Sequence, residues 1–226
     1  MGAHYQDQAA LEVATDTCLA GNVRVLQLFQ CGSEAEHVAR LLHLMDPPLD
    51  ACIVDVGCGV GEVARLMLET RPDLGFILLN LSGYQLELCP EQMMRLQCDM
   101  HDMQLVDACA DVVMVNYTLG YADLDKFMAE AARVLKPGGM LFIYDLSSGS
   151  RGARDLMREK FSYSLHDEYR VAASAVTAGF RTSPIQYPEA SSAHLAPLLD
   201  DEYRATMDLL GTIAKPTVWR FTKRPT

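Results

Sequence analysis

Positive charge is scarce in this sequence. Its 226 residues carry 19 Lys and Arg against 30 Asp and Glu, a formal net charge of -11 with histidine neutral. So acidic a chain lacks the Lys/Arg footprint of a bulk electrostatic grip on nucleic acid, although it leaves room for a local basic patch. It also lacks any apolar run long enough to cross a bilayer and any N-terminal stretch laid out as a secretory signal. Met1-Gly2 opens like a myristoylation site, but Gln6 stands where Ser or Thr is required. The seven cysteines include no C-x-x-C pair, and several sit in apolar runs. That is the usage of small hydrophobes in a reducing compartment. These absences predict a soluble cytoplasmic protein with no membrane partner, no expected nucleic-acid partner and no metal site. An oligomer stays open. With half its residues apolar and 22% charged, the chain has the make-up of one globular domain, 1–226, with a sizeable core.

The stretch ACIVDVGCGVG, residues 51–61, is where the chemistry concentrates. Cys52 to Val56 reads as a strand buried on both faces, because its apolar run is continuous. Gly57, Gly59 and Gly61 fall on alternate positions and let the backbone turn sharply and approach a ligand. A helix follows over roughly 62–70, and its free N–H groups suit an anion. Asp55, just before the turn, is placed to hold an amine or hydroxyl. The spacing is not the G-x-G-x-x-G of dinucleotide folds, since Glu62 occupies the last glycine's place.

Further strands are expected at 75–81, 94–98, 111–116, 140–145, 181–187 and 217–222, with helices between them. Alternating β and α elements imply a parallel sheet covered on both faces. Before the first strand, 9–20 has helical character and 33–44 reads as a helix, with Ser33 and Glu36 as a capping box. Residues 27–32 are open between a cofactor lid and a simple connection. In a doubly wound fold, the end of the second strand meets a nucleoside ribose. Asn80 stands there, able to accept a hydroxyl proton without charge. Residues 147–164 form the most basic stretch, with Arg151, Arg154, Arg158 and Lys160. It reads either as a solvated amphipathic helix or as a lid that clamps an anionic substrate.

The D-x-G-x-G-x-G turn, the Asn80-Leu81-Ser82-x-x-Gln85 turn, Asp99-Met100, the loop after Asn116 and the Lys136-Pro137-Gly138-Gly139 turn occur in order. Together they resemble the S-adenosylmethionine (SAM)-dependent methyltransferases of the Rossmann-like class, small-molecule type, over about residues 50–222. The resemblance implies a doubly wound α/β sheet of seven strands with the last antiparallel, an N-terminal helical cap over 1–48 and a lid over 147–165. It implies SAM as cofactor. Asp55, Gly57, Gly59 and Gly61 would hold its methionine end, Asn80, Leu81 and Gln85 its ribose side, and Asp99, Met100 and His101 its adenine. Asn116 would line the pocket through its backbone, with Tyr121 beside it. For several of these residues a structural role competes: Gln85 as a solvated helix residue, Asp99 as a loop carboxylate, Tyr121 as packing. No general base stands out; Tyr117, Tyr121, His101 and His166 are the candidates. Tyr117, Arg151 and Arg154 are the candidate substrate contacts. The expected activity is direct methyl transfer to a small-molecule O, N or C nucleophile. A protein or RNA acceptor, or a catalytically inactive binding member of the fold, are the alternatives, and a nicotinamide-dependent reductase is disfavoured by the glycine spacing and by Asn80.

Overall fold

The computed structural model describes residues 8–25, 31–189 and 212–225. Two helices precede the sheet: α1 (Gln8–Ala20) and α2 (Glu34–Met45). Ser33 caps α2 by accepting the Glu36 N–H. Glu36 does not complete the box as expected: its carboxylate accepts from Gly32 N instead, at 2.7 Å. Val38, Leu41, Leu42 and Met45 form a buried stripe at helical spacing. The helix stops at Asp46, which turns left-handed at φ 47° ahead of Pro47.

The sheet then alternates with helices: β1 (Cys52–Val56), α3 (Glu62–Thr70), β2 (Gly75–Asn80), α4 (Gly83–Glu87), β3 (Met94–Gln97), β4 (Ala110–Asn116), α5 (Leu124–Val134) and β5 (Leu135–Ser147). After β5 come α6 (Arg151–Phe161), α7 (Glu168–Thr177), β6 (Phe180–Thr182) and β7 (Lys215–Lys223). The seven strands lie in the order β3-β2-β1-β4-β5-β7-β6, and β7 runs antiparallel to both neighbours. The expected doubly wound sheet is therefore present. Two boundaries differ from expectation by more than two residues. β6 is only three residues long, because Ser183 N and Gln186 return singly to β7 rather than continuing a ladder. β5 begins five residues early, since Leu135 already pairs with Ala110 before the glycine turn. Most of the 27–32 stretch, open between a cofactor lid and a simple connection, lies outside the described residues, as does most of the chain between β6 and β7.

Two apolar layers sandwich the sheet. On one face Ile53, Val112, Met114 and Phe142 pack under α2 and α3. On the other, Val54, Val113, Ile143 and Trp219 pack under α5 and α7. Strand alternation settles where the polar residues point. Asp55 shares the face of Ile53, and Asn116 that of Met114. Because Asp55 pairs with Met114, Asn116 lies on the same face one step nearer the carboxyl edge. Both carboxyl-edge polar groups thus open under α2 rather than toward α5.

Candidate active site

The turn after β1 is held by its neighbours as much as by its own glycines. Gly57, Gly59 and Gly61 all take positive φ, between 56° and 75°. A Cβ on Gly57 would lie 2.3 Å from Thr118 Cγ2, so only glycine lets the β4 loop pass this close. Thr118 fills that approach: its hydroxyl donates to Asn116 O at 3.0 Å and lies 3.4 Å from Gly57 O. A Cβ on Gly59, by contrast, meets nothing within 4 Å. The Gly59 carbonyl faces inward and receives Asn80 Nδ2 at 3.4 Å, Cys89 Sγ at 3.5 Å and Cys58 Sγ at 3.6 Å. The outward side of the turn is left as an open cradle. Gly61 caps α3 without a side-chain hydrogen bond, so the first N–H groups of that helix are available to an anion.

Two polar side chains beside this cradle carry buried atoms with no hydrogen-bond partner among the described residues. Asp55 is 2% exposed, and its Oδ2 has no hydrogen-bond partner among the described residues. Burial pushes its carboxyl up to about 7. Neither atom of the Asn116 side-chain amide has a partner there either. The Asn116 carbonyl accepts from the Thr118 hydroxyl, and the uncommitted group is the side chain. A sealed carboxylate with an empty acceptor favours a cationic ligand, and an unpaired buried amide favours a polar one. SAM carries an α-ammonium, a carboxylate and a sulfonium at one end, so its charges fit this donor and acceptor set.

At the β2 edge the expected ribose contacts are engaged elsewhere. Asn80 is 1% exposed; it donates to Gly59 O and to Gln85 Oε1 at 2.9 Å, and its Oδ1 accepts the Ser82 N–H. Gln85 in turn donates to Thr15 Oγ1 at 3.0 Å. Gln85 is therefore half-buried and engaged through both its oxygen and its nitrogen. Leu81, 39% exposed, is the apolar side chain left uncovered there.

At the β3 edge, Asp99 Oδ1 accepts both the His101 N–H at 2.9 Å and His101 Nδ1 at 2.6 Å. His101 Nε2 accepts the Asp123 N–H at 2.9 Å, which places the ring proton on Nδ1. Both nitrogens are spent, so His101 is a brace between Asp99 and the start of α5, not a base. Both bonds from His101 go to one Asp99 oxygen, Oδ1. Met100 packs partly on the layer under α5. Replacing His101 with Ala should weaken SAM binding about five- to tenfold by loosening Asp99. Turnover at saturating SAM should persist; its loss would instead make His101 the base.

The loop after β4 is organised by a residue the sequence did not single out. Asp145, 1% exposed at the end of β5, accepts Leu119 N at 3.0 Å, Leu146 N at 2.7 Å and the Tyr163 hydroxyl at 2.5 Å. Burial still holds its carboxyl up at about 7. The Tyr163 ring crosses Gly120 so closely that a Cβ there would sit 2.2 Å away, and Tyr121 meets it edge-on at 4.9 Å. An acid ending the apolar run LFIYD was the available signal. Burial raises the hydroxyls of Tyr117 and Tyr121, the latter to about 12. At neutral pH both are donors, not bases. His166 donates Nε2–H to Leu119 O at 3.2 Å, and burial lowers its pKa. Among the four candidates it alone keeps a basic nitrogen uncommitted.

A cavity of about 660 Å³ opens beside these residues, lined by Asp99, His101, Tyr121, Lys126, Arg158 and Ser162 among others. The arginine on its wall is Arg158, not the expected pair. Arg151 has 89% of its side chain exposed, near Asp155, and Arg154 is tied to the carbonyls of Ser148 and Gly149. Residues 151–161 form a helix whose Ala153 and Met157 are buried, with the bulk of its charge on the outer side.

Comparison with known proteins agrees with this geometry. A family described as "Methyltransferase domain" matches residues 54–143, from β1 into β5. Malonyl-acyl-carrier-protein O-methyltransferase of Herminiimonas arsenicoxydans is 30% identical over 120 residues, 53% of this chain and 46% of that protein. Ribosomal RNA-processing protein 8 of Caenorhabditis elegans is 30% identical over 105 residues, 46% of this chain and 28% of that protein. The chain thus spans less than half the length of these curated relatives. Among solved structures, the 4+2 cyclase SpnF superposes with a TM-score of 0.79 at 13% identity, covering 98% of this chain and 96% of that one. Geranyl diphosphate C-methyltransferase from Streptomyces coelicolor A3(2), solved with Mg2+, geranyl diphosphate and S-adenosyl-L-homocysteine, superposes with a TM-score of 0.73 at 16% identity, covering 84% and 80%.

Proposed function

We propose that this chain, a member of the Rossmann-like SAM-dependent methyltransferases, transfers the methyl group of SAM to a small-molecule acceptor. The observation that carries the SAM reading is the cradle at Gly59: open space on its outer side, with the orphaned Asp55 carboxylate and Asn116 amide beside it. Asp55 and Asn116 would hold the methionine end, the N–H groups at the start of α3 its carboxylate, and Asp99 the adenine amine. Bound SAM supplies an activated methyl on a positively charged sulfur. The protein's own part is then alignment and exclusion of water, each worth orders of magnitude when donor and acceptor are held in line. Tyr121 would wall the acceptor side, backed edge-on by the buried Tyr163, whose hydroxyl Asp145 holds. Where the acceptor must lose a proton, His166 would take it through Nδ1, since its Nε2–H is held by Leu119 O.

The small-molecule reading rests on the cavity beside Asp99 and Tyr121, whose size lies within the range of metabolite pockets, about 300–1,000 Å³, and on the acidic charge of the chain. A second reading, transfer to RNA, is favoured by the likeness to ribosomal RNA-processing protein 8. A third reading is SAM binding without methyl transfer, because a fold does not fix an activity. One experiment separates them. The purified protein is incubated with SAM and either a protein-free metabolite extract or total RNA, and S-adenosylhomocysteine is measured. Product with the extract alone is expected. Product with RNA alone would move the acceptor to RNA, and none with either would favour the binding role.

A further inference from the structure

α1 lies outside the sheet, yet its one buried residue points at the cofactor turn. Thr15 is 7% exposed, and its hydroxyl donates to Leu11 O at 2.8 Å within the helix. The same oxygen accepts Gln85 Nε2 at 3.0 Å. Gln85 Oε1 accepts Asn80 Nδ2 at 2.9 Å, and the second hydrogen of that nitrogen reaches Gly59 O at 3.4 Å. Ser82 N fixes the other end of the Asn80 amide. Each donor in this line meets one acceptor, so the orientation of both amides is set from end to end. Beside it, the Tyr84 hydroxyl donates to Asp16 Oδ1, one residue along α1.

We propose that Thr15 and Gln85 are positioning residues for the cofactor turn, and that α1 forms part of the SAM site through the line Thr15–Gln85–Asn80–Gly59. The proposal rests on the SAM reading above. Without the Thr15 oxygen, Gln85 Nε2 loses its acceptor in a half-buried place. The Gln85 amide is then free to turn, and a turned amide presents its nitrogen to the nitrogen of Asn80. Asn80 then releases Gly59 O, and the open side of the turn loses the shape that receives the cofactor. The line also explains why an amide rather than an acid ends β2. A carboxylate at position 80 would bring oxygen against both Gly59 O and Gln85 Oε1.

The test is calorimetric titration of the full chain with SAM, using Thr15→Val, Thr15→Ser, Gln85→Met and the Thr15→Val/Gln85→Met double change. Thr15→Val keeps the side-chain shape and removes the hydroxyl; the dissociation constant should rise about fivefold to tenfold. Thr15→Ser should restore it. The double change should be no worse than Gln85→Met alone, because one line is broken only once. Wild-type affinity in Thr15→Val would overturn the proposal, as would equal loss in Thr15→Ser or full additivity in the double change. A folded wild type that binds no SAM would instead fail the functional reading itself, and the relay with it.

Discussion

Gly59→Arg is expected to abolish SAM binding, lowering affinity by at least about 100-fold, while the protein stays folded. The Gly59 carbonyl points into the protein and the Cβ position into open space. A long side chain there displaces no protein atom and occupies the cofactor's place. The backbone penalty of a left-handed residue is about 1 kcal/mol, a fall of roughly 2–4 °C in Tm for a chain of this size. Gly57→Ala makes the contrast. Its Cβ would lie 2.3–2.8 Å from three atoms of Thr118. The β4 loop would have to move, at a cost of about 2–4 kcal/mol including the positive φ. Thermal melting should therefore separate the pair: the smaller substitution unfolds sooner, and the larger one spares the fold. Equal melting temperatures would contradict the packing described around Thr118.

Asp55→Asn should trade affinity for stability. The Asp55 carboxyl is raised by burial to about 7 in the folded chain, against about 4 for an unfolded aspartate. Between these values the native state holds the proton and the unfolded state does not. Stability therefore falls as pH rises through that window, by at most about 4 kcal/mol for one such group. Asp145, also raised to about 7, contributes in the same direction. Denaturant unfolding at pH 5 and pH 8 should show a smaller fall for Asp55→Asn than for wild type. The same change removes the anion that faces the SAM ammonium and should weaken binding about 10- to 100-fold at pH 8. Wild-type affinity should rise as the carboxyl ionises through about pH 7, and that rise should vanish in the variant. A pH-independent wild type would mean that Asp55 is not the cation's partner.

The central strands were legible because they are continuous apolar runs punctuated by glycine, proline or a cap, whereas the count of seven and the antiparallel last strand came from the family resemblance and the polar β3 (MRLQ) and β6 (FRT) carry little signal of their own. Cys52–Val56 and Ala110–Asn116 leave no other reading in a β-α alternation. The glycine turn was legible for the same reason, since three alternate glycines have few uses. What the sequence did not disclose is where polar side chains spend their hydrogen bonds. Gln85 and His101 have the right types and positions for ligand contacts, yet both are consumed by neighbours, one of them 70 residues away in α1. Asp145 and Tyr163 are 18 residues apart and meet only through the β5–α6 fold. Arg151 and Arg158 share one helix, and only its orientation on Ala153 and Met157 decides which of them lines the cavity.

The most direct test of the SAM site is calorimetric titration of the folded wild-type chain with SAM, with Gly59→Arg as its control. One-site binding in the micromolar range, lost in Gly59→Arg, is the predicted result. A wild type that melts cooperatively yet gives no heat with SAM, or a Gly59→Arg protein that binds it unchanged, would contradict the assignment of the turn after β1 as the cofactor cradle.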